Sequence, residues 1–175
     1  VTRLLLWLDF YLFAVRDIFL VLTNFLFAFG TWCILWSCLK SINQNKAAPR
    51  DLSLIGAVLG AWLVLWSQDI NFTWGFQNHV RAAQFFPLLS FVLLSRAAQN
   101  GPRALLLFGG AIALGIVSAG TMANGALALV FMAVWAMILR MRLWQVAMLA
   151  LLGTLVLYLY TSDLKTPPGH TTLVE

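Results

Sequence analysis

A polar and aromatic segment at residues 67–81 holds most of the side chains in this sequence that could do chemistry. It contains a carboxylate at Asp69, a guanidinium at Arg81, an imidazole and four amides, with aromatic rings between them. Amides and carboxylates hydrogen-bond sugar hydroxyls, aromatic faces stack on the C–H side of a sugar ring, and arginine binds pyrophosphate through two N–H groups. The alternative interpretation is a hydrated turn whose polar groups cap two helices. The sequence favours neither.

Two further polar spots follow, at residues 118–125 and 165–170. The dipeptide Asn124-Gly125 is typical of a turn, and small residues there would also let the backbone approach a ligand. His170 lies in a segment stiffened by two prolines, for which a solvated loop is the default interpretation. Together the three spots give these candidate substrate-binding residues: Asp69, Asn71, Trp74, Gln77, Arg81, Asn124 and His170.

The candidate roles differ in how well the residue types support them. Arg81 would hold a phosphate and Trp74 would stack on a sugar, while the amides would orient hydroxyls. Asp69 is a weak candidate for a general base, and an ion pair between Asp69 and Arg81 explains it at least as well. We therefore assign no catalytic residue. No metal-ligand spacing occurs, and no cofactor is expected.

The elements that must position these residues are transmembrane helices. Hydrophobic residues make up 62% of the 175 residues and charged residues 10%, against roughly 45–50% and 25% in soluble domains. This composition excludes a soluble, disordered or disulfide-rich protein, and the net charge of +5 is too scattered to indicate a nucleic-acid partner. We expect an all-α, polytopic helical bundle in a lipid bilayer.

About six spans can be placed along the chain by their apolar runs. The predicted spans are residues 18–39, 52–67, 82–94, 104–119, 126–139 and 143–160. Lysine and arginine occur in alternate loops. The side of a membrane protein whose loops are rich in lysine and arginine is the cytoplasmic side. We therefore predict that loops 40–51, 95–103 and 140–142 are cytoplasmic. The segment 68–81, the turn 120–125 and the tail 161–175 would then face outward.

Residues 1–17 are a separate apolar piece that is too short to span. We interpret it as a helix lying in the outer interface, the alternative being an extension of the first span. Gly56 and Gly60 form a GxxxG pattern that favours close helix packing within the bundle over a dimer face. Cys33 and Cys38 fall in one apolar run, and we predict that they are small core residues. The whole chain is expected to be a single membrane domain.

Several short motifs resemble a group of uncharacterised bacterial polytopic membrane proteins. They are Gln68-Asp69, Trp74-Gly75-Phe76-Gln77, Met122-Ala123-Asn124-Gly125 and Pro167-Pro168-Gly169-His170. Those proteins are similar to the GT-C superfamily of membrane glycosyltransferases. The resemblance implies a helical bundle in the bacterial inner membrane, a polyprenyl-phosphate-linked sugar donor and an outer-face site for cell-envelope glycan assembly. The outer location predicted for all three polar spots agrees with this.

One departure from the superfamily pattern bears on catalysis. In GT-C enzymes the catalytic acid usually lies in the first outer loop, just after the first span, and this sequence begins beyond that loop. The chain is therefore expected to be a fragment that carries the supporting half of a site, and Asp9 is not a replacement for the acid. A non-catalytic scaffold subunit or a lipid or glycan transporter component is the alternative function.

Overall fold

The computed structural model describes residues 2–13, 18–43, 49–63, 78–121 and 123–162, which are almost entirely α-helical. No strand occurs among these residues, so the predicted all-α fold class is confirmed. The helices are α1 (Thr2–Phe13), α2 (Ile18–Asn43), α3 (Pro49–Leu63), α4 (Asn78–Ala97), α5 (Ala104–Ala119), α6 (Ala123–Ala126), α7 (Ala128–Ile138) and α8 (Leu143–Ser162).

Three of the described helices, α2, α4 and α8, are long and apolar enough to cross a membrane. Helices α3, α5 and α7 are apolar but shorter. The 16 residues of α5 rise about 24 Å, which is less than the roughly 30 Å hydrocarbon core of a bilayer. The structure thus supports a membrane protein and shows fewer spanning helices than the six predicted.

Several helix boundaries differ from the sequence-based expectation, and the first predicted span, 18–39, is extended to Asn43 in α2. The predicted span 82–94 is lengthened at both ends in α4, which also accommodates Pro87 in its interior. The predicted span 126–139 corresponds mainly to α7, and its first residue, Ala126, is the last residue of the preceding short helix α6. Leu127, which lies between α6 and α7, keeps a helical backbone (φ −80°, ψ −13°).

Large apolar side chains cover much of the exposed surface. On α2 they include Leu22, Phe25 and Phe29, and on α8 they include Leu151 and Leu155. Soluble monomers rarely expose apolar patches larger than a few hundred Å², whereas lipid tails solvate such side chains at no cost. The exposed surface is therefore the kind that a bilayer would cover.

The two glycines of the GxxxG pattern pack α3 against α2. A Cβ atom added to Gly56 would lie 2.2 Å from Cζ3 of Trp36, and one added to Gly60 would lie 3.1 Å from Nε1 of Trp32. The Trp32 indole N–H also donates a hydrogen bond to the Gly56 carbonyl at 2.9 Å. The pattern thus brings two helices of the same chain together. Since the later glycine faces the earlier tryptophan, α3 runs antiparallel to α2.

The main hydrophobic core lies in the C-terminal half, where α4, α5, α7 and α8 meet. Its fully buried members include Leu94, Phe108, Leu129, Met132 and Leu149. Small residues permit the close contacts here as well. Among them, Gly115 of α5 faces the Leu129 side chain and Gly153 of α8 faces the backbone of Val130.

Successive helices alternate in direction. Asn78 at the start of α4 contacts Leu20 near the start of α2, and Gly30 faces Phe85, so α2 and α4 are parallel. Trp135 near the end of α7 bonds Ser95 near the end of α4, so α7 runs the same way. The antiparallel helices α3, α5 and α8 run in the opposite direction. Helices α2, α4 and α7 therefore start at one end of the bundle and finish at the other.

Basic residues gather at the end where α2, α4 and α7 finish, which we call the basic end. Its exposed cations in the described segments are Lys40, Arg96, Arg103, Arg140 and Arg142. The opposite end, where α2 and α4 begin and where α6 lies against α4, we call the polar end. The exposed basic residues that the sequence places in alternate loops thus lie at one end of the folded bundle.

Helix α1 is separate from α2 and packs against its first turns. Leu5 and Asp9 are buried four residues apart on one face, while Leu4, Trp7 and Phe10 are exposed. The Asp9 carboxylate accepts a hydrogen bond from the Phe19 backbone N–H at 2.9 Å. A carboxylate at a helix N-terminus satisfies a backbone N–H and favours the helix dipole. Asp9 therefore has a structural role in joining α1 to α2.

Candidate functional site

A cluster of buried polar side chains lies between α2 and α4 at the polar end. Thr23 and Asn24 come from α2, and Asn78 and Arg81 come from α4. We call these four residues the polar cluster. Buried polar groups are costly in a protein interior, and ionisable residues within apolar helices mark functional sites by default. The cluster is therefore the best candidate site in the part of the chain that the structure describes.

Asn78 fastens the first turns of the two helices together. Its Nδ2 amide donates to the Leu20 carbonyl at 3.5 Å and to Thr23 Oγ1 at 2.5 Å. Thr23 Oγ1 in turn donates to the same Leu20 carbonyl at 2.8 Å. The side-chain amide oxygen of Asn78, Oδ1, is buried and has no hydrogen-bond partner among the described residues. That oxygen is an acceptor that an additional donor would satisfy.

Arg81 is the charged member of the cluster and is only 2% exposed. One turn of α4 separates it from Asn78, so the two side chains start from the same face of the helix. Its Nη1 donates to Oε1 of Gln84, an exposed residue, at 3.5 Å. The guanidinium thus extends from the buried helix interface towards the surface of the bundle.

The turn that contains Asn124 lies at the same end of the bundle as Arg81. Helix α5 runs antiparallel to α4, with Gly110 against Leu93, so its last residues return to the start of α4. Helix α6, which includes Asn124, contacts α4 directly. The described part of the first polar spot, residues 78–81, and the described residues of the second, 118–121 and 123–125, are therefore at one end.

Gly125 has a structural role in this turn. A Cβ atom there would lie 1.9 Å from the Ser118 carbonyl oxygen, which already accepts hydrogen bonds from the Thr121 N–H at 3.0 Å and the Thr121 hydroxyl at 2.6 Å. The small residue lets two helix backbones touch, as the tight-turn interpretation of this spot requires. The close approach is to another helix of the chain.

Most of the other predicted site residues lie outside the described part of the chain. These are Asp69, Asn71, Trp74, Gln77 and His170. Of the seven predicted substrate-binding residues, only Arg81 has a described side chain, while Asn124 is described by its backbone in α6. The convergence of all seven residues therefore stays a prediction.

Sequence reasoning missed the contribution of α2 to the site. Thr23 and Asn24 are fully or almost fully buried, and they were passed over inside the first apolar span. A polar pair in the middle of an otherwise apolar run was the signal, because such residues usually face a partner within the bundle. The interpretation of 67–81 as a loop also hid that Asn78 and Arg81 belong to α4.

The two cysteines differ from the sequence-based interpretation. Both are free thiols, with Cys33 exposed on α2 and Cys38 partly buried. The exposure of Cys33 contradicts its prediction as a core residue, whereas Cys38 lines a cleft between α2 and α4. In the described segments, no group of three or more histidine, cysteine or acidic side chains lies close enough to hold a metal ion.

Comparison with known proteins identifies no relative of this chain. No protein family model, curated protein or solved structure matches the chain.

Proposed function

We propose that the polar end of this bundle binds the phosphate of a polyprenyl-linked sugar, as part of a GT-C-like membrane glycosyltransferase for cell-envelope glycan assembly. The observation that carries the proposal is the burial of the Arg81 side chain one turn after Asn78 on α4, at the opposite end from the exposed basic residues. An arginine in a site of low dielectric binds phosphate strongly through its planar N–H fork. The resemblance described above supplies the sugar and the lipid carrier.

Each group at the polar end has a role under this proposal. Arg81 binds the phosphate, and the side-chain amide oxygen of Asn78 accepts a hydrogen bond from a sugar hydroxyl. Asp69, Asn71, Trp74, Gln77, Asn124 and His170 complete the pocket from the neighbouring loops. In the transfer step, an acceptor hydroxyl attacks the anomeric carbon, the bond to the phosphate oxygen breaks, and polyprenyl phosphate leaves. We assign binding roles to these residues and leave the base that takes the acceptor proton unassigned.

The membrane arrangement belongs to the same proposal. We infer six spans, with the shorter helices α3, α5 and α7 crossing a locally thinned bilayer or extended by flanking residues. The basic end faces the bacterial cytoplasm, as the charge bias of membrane proteins predicts. The polar end then faces outward, and α1 lies in the outer interface. The supporting observation is the alternation of helix directions, which puts Lys40, Arg96, Arg103, Arg140 and Arg142 together.

Binding of undecaprenyl phosphate to the purified protein in detergent tests the proposal. Arg81→Gln should weaken binding ten- to a hundredfold, since a hydrogen bond to a charged group contributes roughly 1.5–3 kcal/mol. Arg81→Lys keeps the charge but loses the fork, so its loss should be smaller. Arg103→Gln is the matched control, because Arg103 is exposed at the basic end.

A non-catalytic scaffold is the second candidate, and one observation favours it. The bonds from Asn78 to Leu20 and Thr23 fasten α2 to α4, which is a structural use of buried polar groups. A scaffold role predicts that Asn78→Ala lowers the melting temperature and that Arg81→Gln leaves undecaprenyl phosphate binding at the wild-type level. That result would overturn the glycosyltransferase proposal, whereas weaker binding by a variant of wild-type stability would support it.

A further inference from the structure

A cavity lies at the basic end, the opposite end of the bundle from the polar cluster. It is a cleft of about 510 Å³ between the last turns of α2 and α4, closed on one side by α7. The residues that matter for its chemistry are Ser37 and Ser41 of α2, Phe91, Ser95 and Arg96 of α4, and Trp135 of α7.

The mouth of the cleft is polar and carries a positive charge. Ser37 and Ser41 are one helical turn apart, so their hydroxyls share a face of α2, and Arg96 lies on the opposite wall. All three side chains are exposed. A guanidinium and two hydroxyls across a narrow gap are suitable donors for a phosphate group.

The inner wall of the cleft is apolar and held in place. The Trp135 indole N–H donates to Ser95 Oγ at 3.0 Å, and Ser95 Oγ donates to the Phe91 carbonyl at 2.8 Å. These bonds fix the Trp135 ring beside Phe91. The Ser95 hydroxyl is thereby used within the protein, which leaves Ser37, Ser41 and Arg96 to meet a ligand.

An exposed apolar strip continues from the cleft towards the polar end. Phe131 of α7 and Leu127, just before α7, lie one and two turns before Trp135, and all three side chains are exposed. Residues four apart on a helix share one face. The strip therefore has the direction and composition that an acyl chain would follow from a headgroup bound in the cleft.

We propose that the cleft binds one anionic phospholipid, with its phosphate at Arg96 and Ser41 and an acyl chain along Trp135 and Phe131. Charge complementarity supports this occupant, because Arg96 belongs to the exposed cations of the basic end and basic pockets between transmembrane helices bind anionic headgroups. A soluble phosphate would meet the same donors but would gain nothing from the apolar strip.

Native mass spectrometry of the protein, purified with an equal mixture of phosphatidylglycerol and phosphatidylcholine of identical acyl chains, tests the proposal. The wild type should retain phosphatidylglycerol in preference to phosphatidylcholine. Arg96→Gln should lower that preference about fivefold, the effect of roughly one membrane-adjacent cation. Arg103→Gln is the matched control, since Arg103 is exposed at the same end but does not line the cleft, and it should keep the wild-type preference.

Three outcomes would overturn the proposal. The first is equal retention of both lipids by the wild type. The second is an equal loss in Arg96→Gln and Arg103→Gln, which would indicate attraction by the whole basic end. The third is displacement of phosphatidylglycerol by millimolar inorganic phosphate, which would indicate a site for a soluble anion. Retention that resists phosphate and depends on Arg96 would support a bound lipid.

Discussion

The contact between Gly125 and Ser118 gives the sharpest stability prediction. In Gly125→Ala the new Cβ would lie 1.9 Å from the Ser118 carbonyl oxygen and 2.5 Å from its carbonyl carbon. Both atoms are backbone atoms of α5, so no side chain can move aside. The carbonyl is also held by the Thr121 N–H and hydroxyl. The helices must therefore separate by more than about 1 Å to restore ordinary van der Waals contact.

The expected loss follows from that separation. Overpacking costs typically about 1–3 kcal/mol, and the upper part of this range applies because backbone must move. Loss of a Thr121 bond would add about 1 kcal/mol. We therefore expect Gly125→Ala to lower the free energy of unfolding by roughly 2–4 kcal/mol.

Two other glycines provide matched controls. A Cβ on Gly109 would meet nothing within 4 Å, so Gly109→Ala should be neutral or stabilising by up to about 1 kcal/mol, since alanine favours helix. A Cβ on Gly153 would lie 2.9 Å from the Val130 backbone nitrogen, which predicts an intermediate loss. Unfolding by SDS titration in mixed micelles, followed by circular dichroism, measures all three. Equal stability of Gly125→Ala and Gly109→Ala would refute the packing argument.

Three further substitutions test other contacts by the same titration. Asn78→Ala removes the hydrogen bonds to Leu20 and Thr23 and should lower the free energy of unfolding by about 1–2 kcal/mol. In a Thr23→Val background the same substitution should cost less. Additive losses in the double variant would contradict a hydrogen bond between the two side chains. Asp9→Ala removes the hydrogen bond from the Phe19 N–H and should lower the free energy of unfolding by about 1 kcal/mol. Asp9→Asn keeps an acceptor oxygen and should retain most of that stability. Equal losses in the two variants would exclude a capping role. Trp32→Phe loses the bond to the Gly56 carbonyl and should cost about 0.5–1.5 kcal/mol, and no change would show that packing alone joins α2 to α3.

Hydropathy predicted where helices lie because it responds to local composition, although only three of the described helices are long and apolar enough to cross a membrane. The fourth span, 104–119, coincides with α5, and the alternate basic loops map to one end of the bundle. Helix length was harder to predict. Asn78, the first described residue of α4, contacts Leu20, 58 residues earlier, and Gly125 of α6 lies against the Ser118 backbone of α5. Such tertiary contacts leave no periodic signal in the sequence.

The site was predictable only in part, for a related reason. Arg81 stands out because a guanidinium beside an apolar run needs a partner. Thr23 and Asn24 are a polar pair within an apolar stretch, which indicates a partner inside the bundle, but the contact of Thr23 with Asn78 is visible only in the structure. The pairing of Trp32 and Trp36 with Gly60 and Gly56 could likewise be seen only after α3 was placed antiparallel to α2.

The proposed function requires that the two ends of the bundle face opposite sides of the membrane, with the polar end outward. Cysteine accessibility tests this in a Cys33→Ser, Cys38→Ser background expressed in intact bacterial cells. Single cysteines would be placed by Gly120→Cys at the polar end and Gly101→Cys at the basic end, both at exposed turn positions. We predict that a membrane-impermeant maleimide labels the first variant in intact cells and the second only after permeabilisation. The reverse pattern, or labelling of both variants from one side, would contradict the account.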